Sequence, residues 1–587
     1  MIDMTDPSGQ RATVRARLAE LGPRLRELSR LIPAMGETQR FLLLSILIGV
    51  FSGLVVVCYH MAIEYLSWRT IHALEAQPWW RVMLWPALGA GVAWALVRWV
   101  FPAARGSGVN AAKAAVLVSD GYVPSTSVAG KFIASSISIG LGNPMGPEDP
   151  ALQMGAGIAS RLGRLFGLGR RHLRLIAPVG AAAGIGAAFN TPITAVLFVM
   201  EEVVAGWGAG ALGSIVLAAV SAVVVSRWFL GDDPLFSVPD FAITHPSELL
   251  VYAAMGVVGG LLAAGFVRFT LALRARALAA PDHLTYALPV LAGLVVGAVG
   301  VWAPGTLGAG YRTIDGAMHD GFPWHMLLLL GLLKMVTAST CFSAGVPGGM
   351  FAPALFIGAT VGGGLGALAD LYWPFPSSSA GAYVLVGMGT FFAGLFRAPM
   401  TSIFMIFEVS ASYVIILPVM IANTIAYLVT RQVHPESFLE VVARQDGLRL
   451  PSAEQEAEAP ALTVEAAMVQ SPGRRLPPDL TVSEALVRMQ EATTEYGLVR
   501  AAGADWQYVT RAQLREATDP TMTLRNLPGG RPALRTYPDA SLDSALRLLG
   551  RCPILLVSNR VNPHHVIGTL TLEDVHGAYG LSSRLES

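Results

Sequence analysis

Long apolar segments, separated by short polar stretches, fill the chain from Phe41 to about Arg431. The first of them, Phe41 to Leu66, is longer than the roughly 20 residues that a bilayer span requires. The other apolar segments are 82–101, 173–203, 212–231, 248–275, 285–303, 325–341, 353–373, 381–395 and 400–430. This pattern predicts a multi-pass α-helical membrane protein.

Glycine and proline interrupt many of these segments, and several segments are too short to cross a bilayer alone. Broken helices are tolerated in a membrane where the freed backbone lines a cavity or is buried in protein. Paired interruptions in two halves of a transporter indicate a binding site at the interface of the halves.

Two glycine-rich stretches, Gly142–Ala156 and Gly345–Ala359, align without a gap at an offset of 203, with eight of fifteen positions identical. Each is typical of a loop that leads into the N-terminus of an apolar helix, which favours anion binding. Glu148 in the first copy stands where the second has Phe351. A duplicated anion site with an ionisable residue in one copy suggests an anion pathway that a proton can gate.

A second pair of stretches, Phe189–Glu201 and Phe396–Glu408, aligns at an offset of 207. The two offsets are nearly equal, which predicts two repeats, at about 41–231 and 248–433, within a membrane domain spanning 41–433. Inverted repeats are the usual form in transporters, although the alignment alone does not prove inversion.

The composition supports a membrane protein, because 53% of the 587 residues are hydrophobic and only 14% are charged. A soluble protein of this size is less apolar. The net charge of +1 argues against a nucleic-acid partner. The three cysteines are far apart and form neither a metal-binding spacing nor a disulfide framework, so we expect no metal site.

Residues 1–40 carry seven arginines, and the stretch from Arg11 to Leu31 is predicted to form an amphipathic helix. This segment is too polar for a signal peptide. An arginine-rich segment beside the first span favours a cytoplasmic N-terminus. We expect both termini to be cytoplasmic, in a membrane of the bacterial inner-membrane type.

After the membrane domain the composition becomes that of a soluble protein. Residues 434–462 are predicted to be a linker, with prolines and an acidic run at 454–458. Two weakly similar units follow, at 463–520 and 521–587. In each, an amphipathic helix (482–491 or 541–550) precedes a short β-rich run and a helix that starts at Arg511 or Leu572. The pattern predicts a soluble α/β pair.

Three motifs lie in the membrane domain: Gly106-Ser107-Gly108-Val109-Asn110, Gly146-Pro147-Glu148-Asp149-Pro150 and Gly349-Met350-Phe351-Ala352-Pro353. They are similar to the GSGIP, GREGP and GxFxP motifs of the CLC family of chloride channels and chloride/proton antiporters. Lys131 also matches a lysine of that family. The soluble tail resembles a pair of CBS domains. The resemblance implies a CLC-type fold of two inverted repeats and a homodimer with one pore per subunit.

The resemblance also implies which groups bind chloride. They are the Ser107 hydroxyl and the backbone amides of Met350 and Phe351, with Gly146 and Phe438 beside the ion. Such partial dipoles can replace a hydration shell and still release the ion, whereas a bare chloride in a low-dielectric interior would cost tens of kcal/mol. The alternative is that these glycines serve only close helix packing.

Two glutamates are implied to carry protons. Glu148 resembles the family's gating glutamate, whose carboxylate competes with chloride when ionised and swings away when protonated; the alternative is a helix cap. Glu202, the second residue of a pair between apolar runs, resembles the internal proton-transfer glutamate of the antiporters. The alternative for Glu202 is a helix-end pair facing water. Glu408 has no second carboxylate beside it and is interpreted as structural.

The chain departs from the family motifs at several positions. Asn110 replaces the proline of GSGIP, while Pro147 and Asp149 replace the arginine and second glycine of GREGP. The family's chloride-binding tyrosine is replaced by Phe438, or by Leu439 in a shifted alignment. Neither side chain can donate a hydrogen bond, so we expect a weaker inner side of the site.

In the tail, Thr571 and Asp574 match the CBS residues that contact an adenine nucleotide, whereas the first unit has Thr510 and Gln513 in their place. A nucleotide sensor and a purely structural pair both fit this pattern. No other cofactor is expected.

The leading hypothesis is a chloride/proton antiporter, and its nearest rival is a passive chloride channel, voltage- or proton-gated, of the same family. A membrane-bound nucleotide sensor would leave the duplicated anion motifs unexplained. An intramembrane metalloprotease needs a His-Glu-x-x-His motif, which the sequence lacks. We therefore expect a transport protein and not an enzyme.

Overall fold

The computed structural model describes residues 37–578 except for short stretches at 72–77, 118, 205–208, 233–234, 237, 240–244, 320, 375–377, 449, 451–462, 470–473, 492–493, 501–505, 518, 528 and 561–565. The predicted N-terminal amphipathic helix lies outside the described residues. The chain divides into two compact units, Met1–Ala453 and Glu454–Ser587. The finer domain boundaries stay a prediction.

The first half of the membrane unit is a series of helices joined by short loops. They are α1 (Glu37–Thr70), α2 (Trp79–Ala95, continued as a π-helix over Leu96–Val100), α3 (Gly108–Leu117), α4 (Ser125–Gly140), α5 (Glu148–Leu165), α6 (Arg170–Arg174), α7 (Ile176–Phe189), α8 (Pro192–Phe198, continued as a π-helix over Val199–Val203) and α9 (Ala209–Leu230).

The second half repeats this series without the short α6. Its helices are α10 (Glu248–Leu278), α11 (Asp282–Trp302), α12 (Tyr311–Met318), α13 (Trp324–Ser343), α14 (Phe351–Tyr372), α15 (Ala380–Phe396), α16 (Pro399–Ser410) and α17 (Ile416–Val433). Helix α18 (Phe438–Gln445) follows and ends the membrane unit. The short helices α3 and α12 therefore hold the same place in the order of the two halves.

Reciprocal contacts between equivalent residues relate the two halves by a pseudo-two-fold axis. Gly146 and Gly349, which differ by the repeat offset of 203, each donate a backbone N–H to the other's carbonyl at 2.8 Å. Glu201 accepts hydrogen bonds from the first turn of α16, and its counterpart Glu408 accepts them from the first turn of α8. Such exchange is the mark of two-fold symmetry, and it establishes the inverted repeats that the alignment alone left open.

Small residues let equivalent helices approach closely in both halves. A Cβ on Gly155 of α5 would lie 2.1 Å from the carbonyl oxygen of Gly180 on α7. The second half repeats the contact, since a Cβ on Gly358 of α14 would lie 2.4 Å from the carbonyl oxygen of Gly387 on α15. Close backbone approach at small residues is typical of helix packing in membranes.

The described residues include nine helices long and apolar enough to cross a membrane, so the protein is an integral multi-pass membrane protein. Two predicted apolar segments are each broken in the structure. Segment 173–203 is interrupted at Asn190, which adopts a left-handed conformation with φ of 59°, and segment 400–430 is interrupted after Ser410. Helices α4 and α5 were not among the predicted apolar segments, because serine, charge and glycine dilute their hydrophobicity.

The tail has the predicted α/β organisation. Its strands are β1 (Arg475–Leu476), β2 (Tyr496–Arg500), β3 (Trp506–Thr510), β4 (Arg531–Pro532), β5 (Leu534–Thr536), β6 (Ile554–Ser558) and β7 (Val566–Thr571). Its helices are α19 (Val464–Ala467), α20 (Val482–Glu491), α21 (Arg511–Arg515), α22 (Leu542–Leu549) and α23 (Leu572–Ala578). They pack on sheets of order β1-β2-β3-β4 and β5-β6-β7.

The two tail sheets share one topology. In each, the first strand pairs parallel with the second, and the second pairs antiparallel with the third. Isolated bridges join Thr463 to Ser541 and Thr481 to Thr523. Each bridge thus connects the start of one unit to the residue just before a helix (α22 or α20) of the other unit. The two units therefore exchange equivalent contacts.

Candidate anion site between the two repeats

The bridge between Gly146 and Gly349 brings the two predicted anion motifs together. Helix α5 begins two residues after Gly146, and α14 begins two residues after Gly349. The first N–H groups of a helix have no partner within the helix and carry partial positive charge. The two repeats therefore bring two helix N-termini to one buried place, which is the arrangement that the duplicated sequence predicted.

Glu148, the first residue of α5, is completely buried at this place. The Tyr311 hydroxyl, at the first residue of α12, donates a hydrogen bond to Glu148 Oε1. The other oxygen, Oε2, faces the Ala352 amide at the start of α14, without a hydrogen bond of good geometry to any described residue. The carboxylate thus lies between helix N-termini of the second repeat.

Tyr311 is the residue of this site that sequence reasoning missed. It ends the stretch Gly308-Ala309-Gly310-Tyr311, which is the second repeat's counterpart of Gly106-Ser107-Gly108-Val109. The equivalence of α3 and α12 could have identified it, because both helices begin just after a Gly-x-Gly turn. The phenol ring is held edge-on by Phe236, with ring centroids 5.9 Å apart.

Asp149, the next residue, points away from Glu148 and towards the start of α3. Its Oδ1 accepts hydrogen bonds from the Ser107 hydroxyl at 2.9 Å and the Val109 amide at 3.1 Å. Its Oδ2 accepts one from the Gly108 amide at 2.8 Å. The two neighbouring carboxylates therefore diverge, as adjacent helical positions do, and each lies against an N-terminus of a different helix.

A buried lysine supports the loop before α3, and another supports the loop before α12. Lys131 Nζ donates to the Gly106 carbonyl at 2.7 Å and lies 3.9 Å from Asp149 Oδ2. Lys334, which follows Lys131 by the repeat offset of 203, donates to the Thr306 and Gly308 carbonyls at 2.9 and 2.6 Å. The lysines bind carbonyl oxygens, so they brace the loops and leave the helix amides to face the site.

A cavity of about 310 Å³ opens on one side of the site. The predicted chloride-binding residues Ser107, Met350, Phe351 and Phe438 line it, together with Asp149. Gly146 and Glu148 are not among its lining residues. The charged residues that also line the cavity are Arg98, Arg105, Lys131, Arg274 and Asp446. Cations outnumber acids in this lining, which attracts anions.

Phe438 begins α18, whose position is fixed by several contacts. Ser437 caps this helix in a reciprocal capping box with Glu440. The Asn110 side-chain amide donates to the Leu439 carbonyl at 3.0 Å, which gives the substitution in the first motif a structural role. Arg444 donates to both oxygens of Glu436, and this holds the pKa of Glu436 below its usual value.

Phe351 is fixed by aromatic packing. Its ring stacks on Phe396 with centroids 4.6 Å apart and contacts Phe189, Phe198 and Phe392 at 5.2 to 6.3 Å. Two of these rings come from α15 of the same repeat, and the other two come from α7 and α8 of the first repeat. The start of α14 therefore offers backbone amides from a rigid wall.

Glu202 lies in the π-helical end of α8 and is 8% exposed. The charged groups that act on its carboxylate are Lys113, Glu201, Arg397 and Glu440. Glu202 is outside the group formed by Glu148 and Asp149, so the structure gives the chain two separate carboxylate positions, one in the anion site and one at the end of α8.

Glu201 and Glu408 cap helices across the repeat interface. Glu201 accepts hydrogen bonds from the Thr401 amide at 3.0 Å and its hydroxyl at 2.7 Å. Glu408 accepts them from the Thr194 amide at 2.7 Å and its hydroxyl at 2.5 Å. Both carboxylates are therefore engaged in holding the repeats together, in agreement with the structural interpretation of Glu408.

Residues 88–431 match the family model described as voltage gated chloride channel, which is more than half of the chain. The chain belongs to this chloride channel family. A putative chloride channel protein ClcB-like of Ralstonia nicotianae is 32% identical over 69% of this chain and 98% of its own length. The H(+)/Cl(-) exchange transporter ClcA of Cronobacter sakazakii is 31% identical over 65% of this chain and 84% of its own length.

Solved structures of the chloride channel family have the same fold. A slow cyanobacterial Cl-/H+ antiporter matches with a TM-score of 0.65 at 23% identity, over 70% of this chain and 98% of its own. A eukaryotic CLC transporter matches with a TM-score of 0.67 at 19% identity, over 91% of this chain and 98% of its own. The second match extends beyond the membrane unit, so at least part of the tail also has a structural counterpart.

In the tail of this chloride channel family member, the predicted nucleotide-binding residues are engaged with each other. Asp574 accepts hydrogen bonds from the Thr571 amide and hydroxyl, both at 2.8 Å, and so caps α23. It also pairs with the Arg474 guanidinium, through contacts of 2.5 and 3.0 Å. Thr510 and Gln513 form the same cap in the first unit, without an ion pair.

Proposed function

We propose that the protein exchanges chloride for protons across the membrane. The observation that carries this proposal is the position of the Glu148 carboxylate, which lies buried between helix N-termini of the second repeat. Helix N-termini bind anions, so a carboxylate there competes with chloride for the same donors. The likeness to relatives named H(+)/Cl(-) exchange transporter supports the proposal.

Proton binding at Glu148 decides which anion holds the site. When ionised, the carboxylate occupies the space in front of the Ala352 amide and excludes chloride. When protonated, it loses its attraction for the helix dipole, leaves and carries a proton with it. Chloride then takes the position that the carboxylate held, so the two ions move in alternation and in opposite directions.

Glu202 would exchange protons with Glu148 from the other side of the protein. Its carboxylate is nearly buried at the end of α8 and has cations at Lys113 and Arg397 in its surroundings. An ionisable side chain at membrane depth is a functional candidate by default. Because Glu201 is used in capping α16, Glu202 is the member of the pair that remains for proton transfer.

The chloride site itself would use groups from both repeats. We assign it to the Ser107 hydroxyl, the amides of Met350 and Phe351, and the backbone at Gly146, with the Phe438 ring closing the inner side. A phenyl ring offers only its weakly positive edge to an anion. The inner side therefore binds chloride less tightly than a hydroxyl would, and we expect faster release towards the cavity.

Reconstitution into liposomes tests the proposal. A chloride gradient should drive protons uphill in vesicles that contain the protein, with the membrane potential set by potassium and valinomycin to favour neither direction. Uphill proton movement establishes exchange. Chloride flux without proton movement would instead establish a passive channel, the nearest rival.

Several coarser features accompany this proposal. We place the protein in a membrane of the bacterial inner-membrane type with both termini cytoplasmic, because the arginine-rich N-terminal segment precedes the first span. We also propose a homodimer in which each subunit has its own site. Cross-linking in native membranes tests the dimer: a band at twice the monomer mass supports it, and monomer alone would contradict it.

For the tail we propose a CBS pair that binds an adenine nucleotide at Thr571 and Asp574. The duplicated sheet topology and the exchanged bridges support the pair. A nucleotide would have to displace Arg474 from Asp574 or use the pair as it stands. Calorimetry with ATP and AMP on the full chain tests this: saturable heat that Asp574→Ala removes supports a sensor, and no heat with either nucleotide leaves a structural pair.

A further inference from the structure

Asp149 occupies an anion position that the proposed transport cycle needs. Three donors converge on its carboxylate, namely the Ser107 hydroxyl and the amides of Gly108 and Val109, at 2.8 to 3.1 Å. The Lys131 ammonium adds positive charge at 3.9 Å. This set of donors at the start of α3 could hold any small anion, and in this chain it holds the protein's own carboxylate.

The carboxylate and chloride cannot share these donors. Each Asp149 oxygen already accepts from at least one amide of the first turn of α3, so an anion at Ser107 would lie against the carboxylate. Two like charges this close repel each other, and the repulsion is stronger in a buried site than in water. Chloride can therefore bind at Ser107 only when the Asp149 carboxylate has moved away from these donors.

The Asp149 side chain lines the cavity on one side and packs closely against Gly349 on the other. A Cβ on Gly349 would lie 2.7 Å from Asp149 Cβ, so the side chain is pressed against the bridge between the repeats. The carboxylate lines the cavity, whereas Glu148 does not. An anion that enters from the cavity meets Asp149 before it reaches Glu148.

From this geometry we propose that Asp149 is a second carboxylate gate, an internal anion that holds the Ser107 position and gives it up whenever chloride binds there. Two neighbouring residues then divide the pathway between them. Glu148 competes with the transported anion at α12 and α14, and Asp149 competes with it at α3. The inference rests on the proposed function for its role in the cycle but not for the competition itself.

Chloride binding to purified protein in detergent, measured by calorimetry, tests the competition. Asp149→Asn keeps the size of the side chain and removes its charge, and Asp149→Gly removes the side chain. Both variants should bind chloride at least about tenfold more tightly than the unchanged protein. Tighter binding by both variants would show that the carboxylate occupies an anion position at these donors. Whether the unchanged protein gives that position up to an anion is tested by bromide diffraction.

Asp446→Asn is the matched control. Asp446 lines the same cavity but pairs with Arg274 at 2.6 Å and does not touch the α3 donors. Removing its charge changes the cavity by the same amount, and we expect chloride affinity to change less than about twofold. Equal tightening by Asp446→Asn and Asp149→Asn, or no tightening by either Asp149 variant, would overturn the proposal.

Bromide diffraction on the unchanged protein covers the case in which the variants do not fold. At saturating bromide we expect anomalous signal beside Ser107 and Asp149 displaced from Gly108 and Val109. Bromide at Ser107 with Asp149 still bound to α3, or Asp149 in place without bromide at Ser107 under the same conditions, would contradict the gate.

The two proposals can fail separately. Chloride binding in detergent requires no proton transport, so tighter binding by Asp149→Asn in a protein that moves no protons would uphold the competition and reject exchange. Uphill proton movement with chloride affinity unchanged by Asp149→Asn would uphold exchange and reject the competition at Asp149.

Discussion

Helices α5 and α14 begin at equivalent residues on either side of the Gly146–Gly349 bridge, yet their first turns have different chemistry. Helix α5 starts with two carboxylates, Glu148 and Asp149, each lying against another helix's N-terminus. Helix α14 starts with Phe351 and Ala352, whose amides face the site while the phenyl ring is packed among four others. In the proposed cycle, one repeat supplies movable anions and the other a fixed set of donors.

This difference shows how two symmetric repeats can build one site whose two sides are chemically different. The pseudo-two-fold axis gives both repeats the same helices, bracing lysines and close glycine contacts, so symmetry builds the site. Transport that couples two ions requires the start of α5 to differ from the start of α14. Here the difference is confined to a few side chains at the start of two helices, which leaves the shared packing unchanged.

Removing the Glu148 carboxylate at the start of α5 should have the largest effect on proton movement. With Glu148→Ala, no carboxylate is left to alternate with chloride at α12 and α14, so proton movement should fall to background while chloride flow persists. Paired chloride and pH recordings on liposomes measure both. If Glu148→Ala still moves protons against their gradient, the start of α5 does not gate exchange.

The second carboxylate position can be tested against its own neighbour. Glu202→Gln should stop proton movement and spare chloride movement, because Glu202 is not among the residues that line the anion cavity. Glu201→Gln is the control. It should retain proton movement but lower stability by about 1–3 kcal/mol, since the Thr401 donors lose a charged acceptor. Equal loss of both fluxes in Glu202→Gln would refute the proton role.

A change at the start of α14 should lower the stability of the protein more than it changes the coupling of protons to chloride. Phe351→Ala removes a ring that packs against four phenylalanines, and large-to-small changes of this kind cost about 3–5 kcal/mol. We expect a lower midpoint of thermal unfolding in detergent and an unchanged ratio of protons to chloride. A changed ratio at wild-type stability would mean that Phe351 is itself a moving part.

A smaller effect is expected from the hydroxyl that holds the gate. Tyr311→Phe keeps the contact with Phe236 but removes the hydrogen bond to Glu148, worth about 1 kcal/mol, so chloride should compete better and bind about fivefold more tightly. Calorimetry measures this. Tyr286→Phe, at an exposed tyrosine that is not among the cavity's lining residues, should leave chloride affinity unchanged. Weaker chloride binding in Tyr311→Phe would contradict the competition at α12.

Much of this arrangement was predictable because the sequence repeats itself. The alignment of Gly142–Ala156 with Gly345–Ala359 predicted one site built by both repeats, and the motifs predicted the family. The alignment could not show whether the repeats were inverted, because an offset carries no information on direction. Reciprocal hydrogen bonds at Gly146 and Gly349 supplied that information.

The parts that sequence reasoning missed depend on contacts between distant segments. The role of Tyr311 arises where α12 meets α5, because its partner Glu148 lies 163 residues away in the chain. The hydrogen bonding of Asp149 to the start of α3 was likewise hidden, because its donors lie 40 to 42 residues earlier in the chain. Helix breaks such as that at Asn190 were masked by continuous hydrophobicity on both sides.

The most direct test of the central claim is to record chloride efflux and proton uptake from the same liposomes, with the unchanged protein and with Glu148→Ala. Exchange at a carboxylate-gated site predicts uphill proton uptake at a fixed ratio to chloride in the unchanged protein and chloride efflux alone in the variant. Chloride efflux without proton uptake in both proteins would contradict the account.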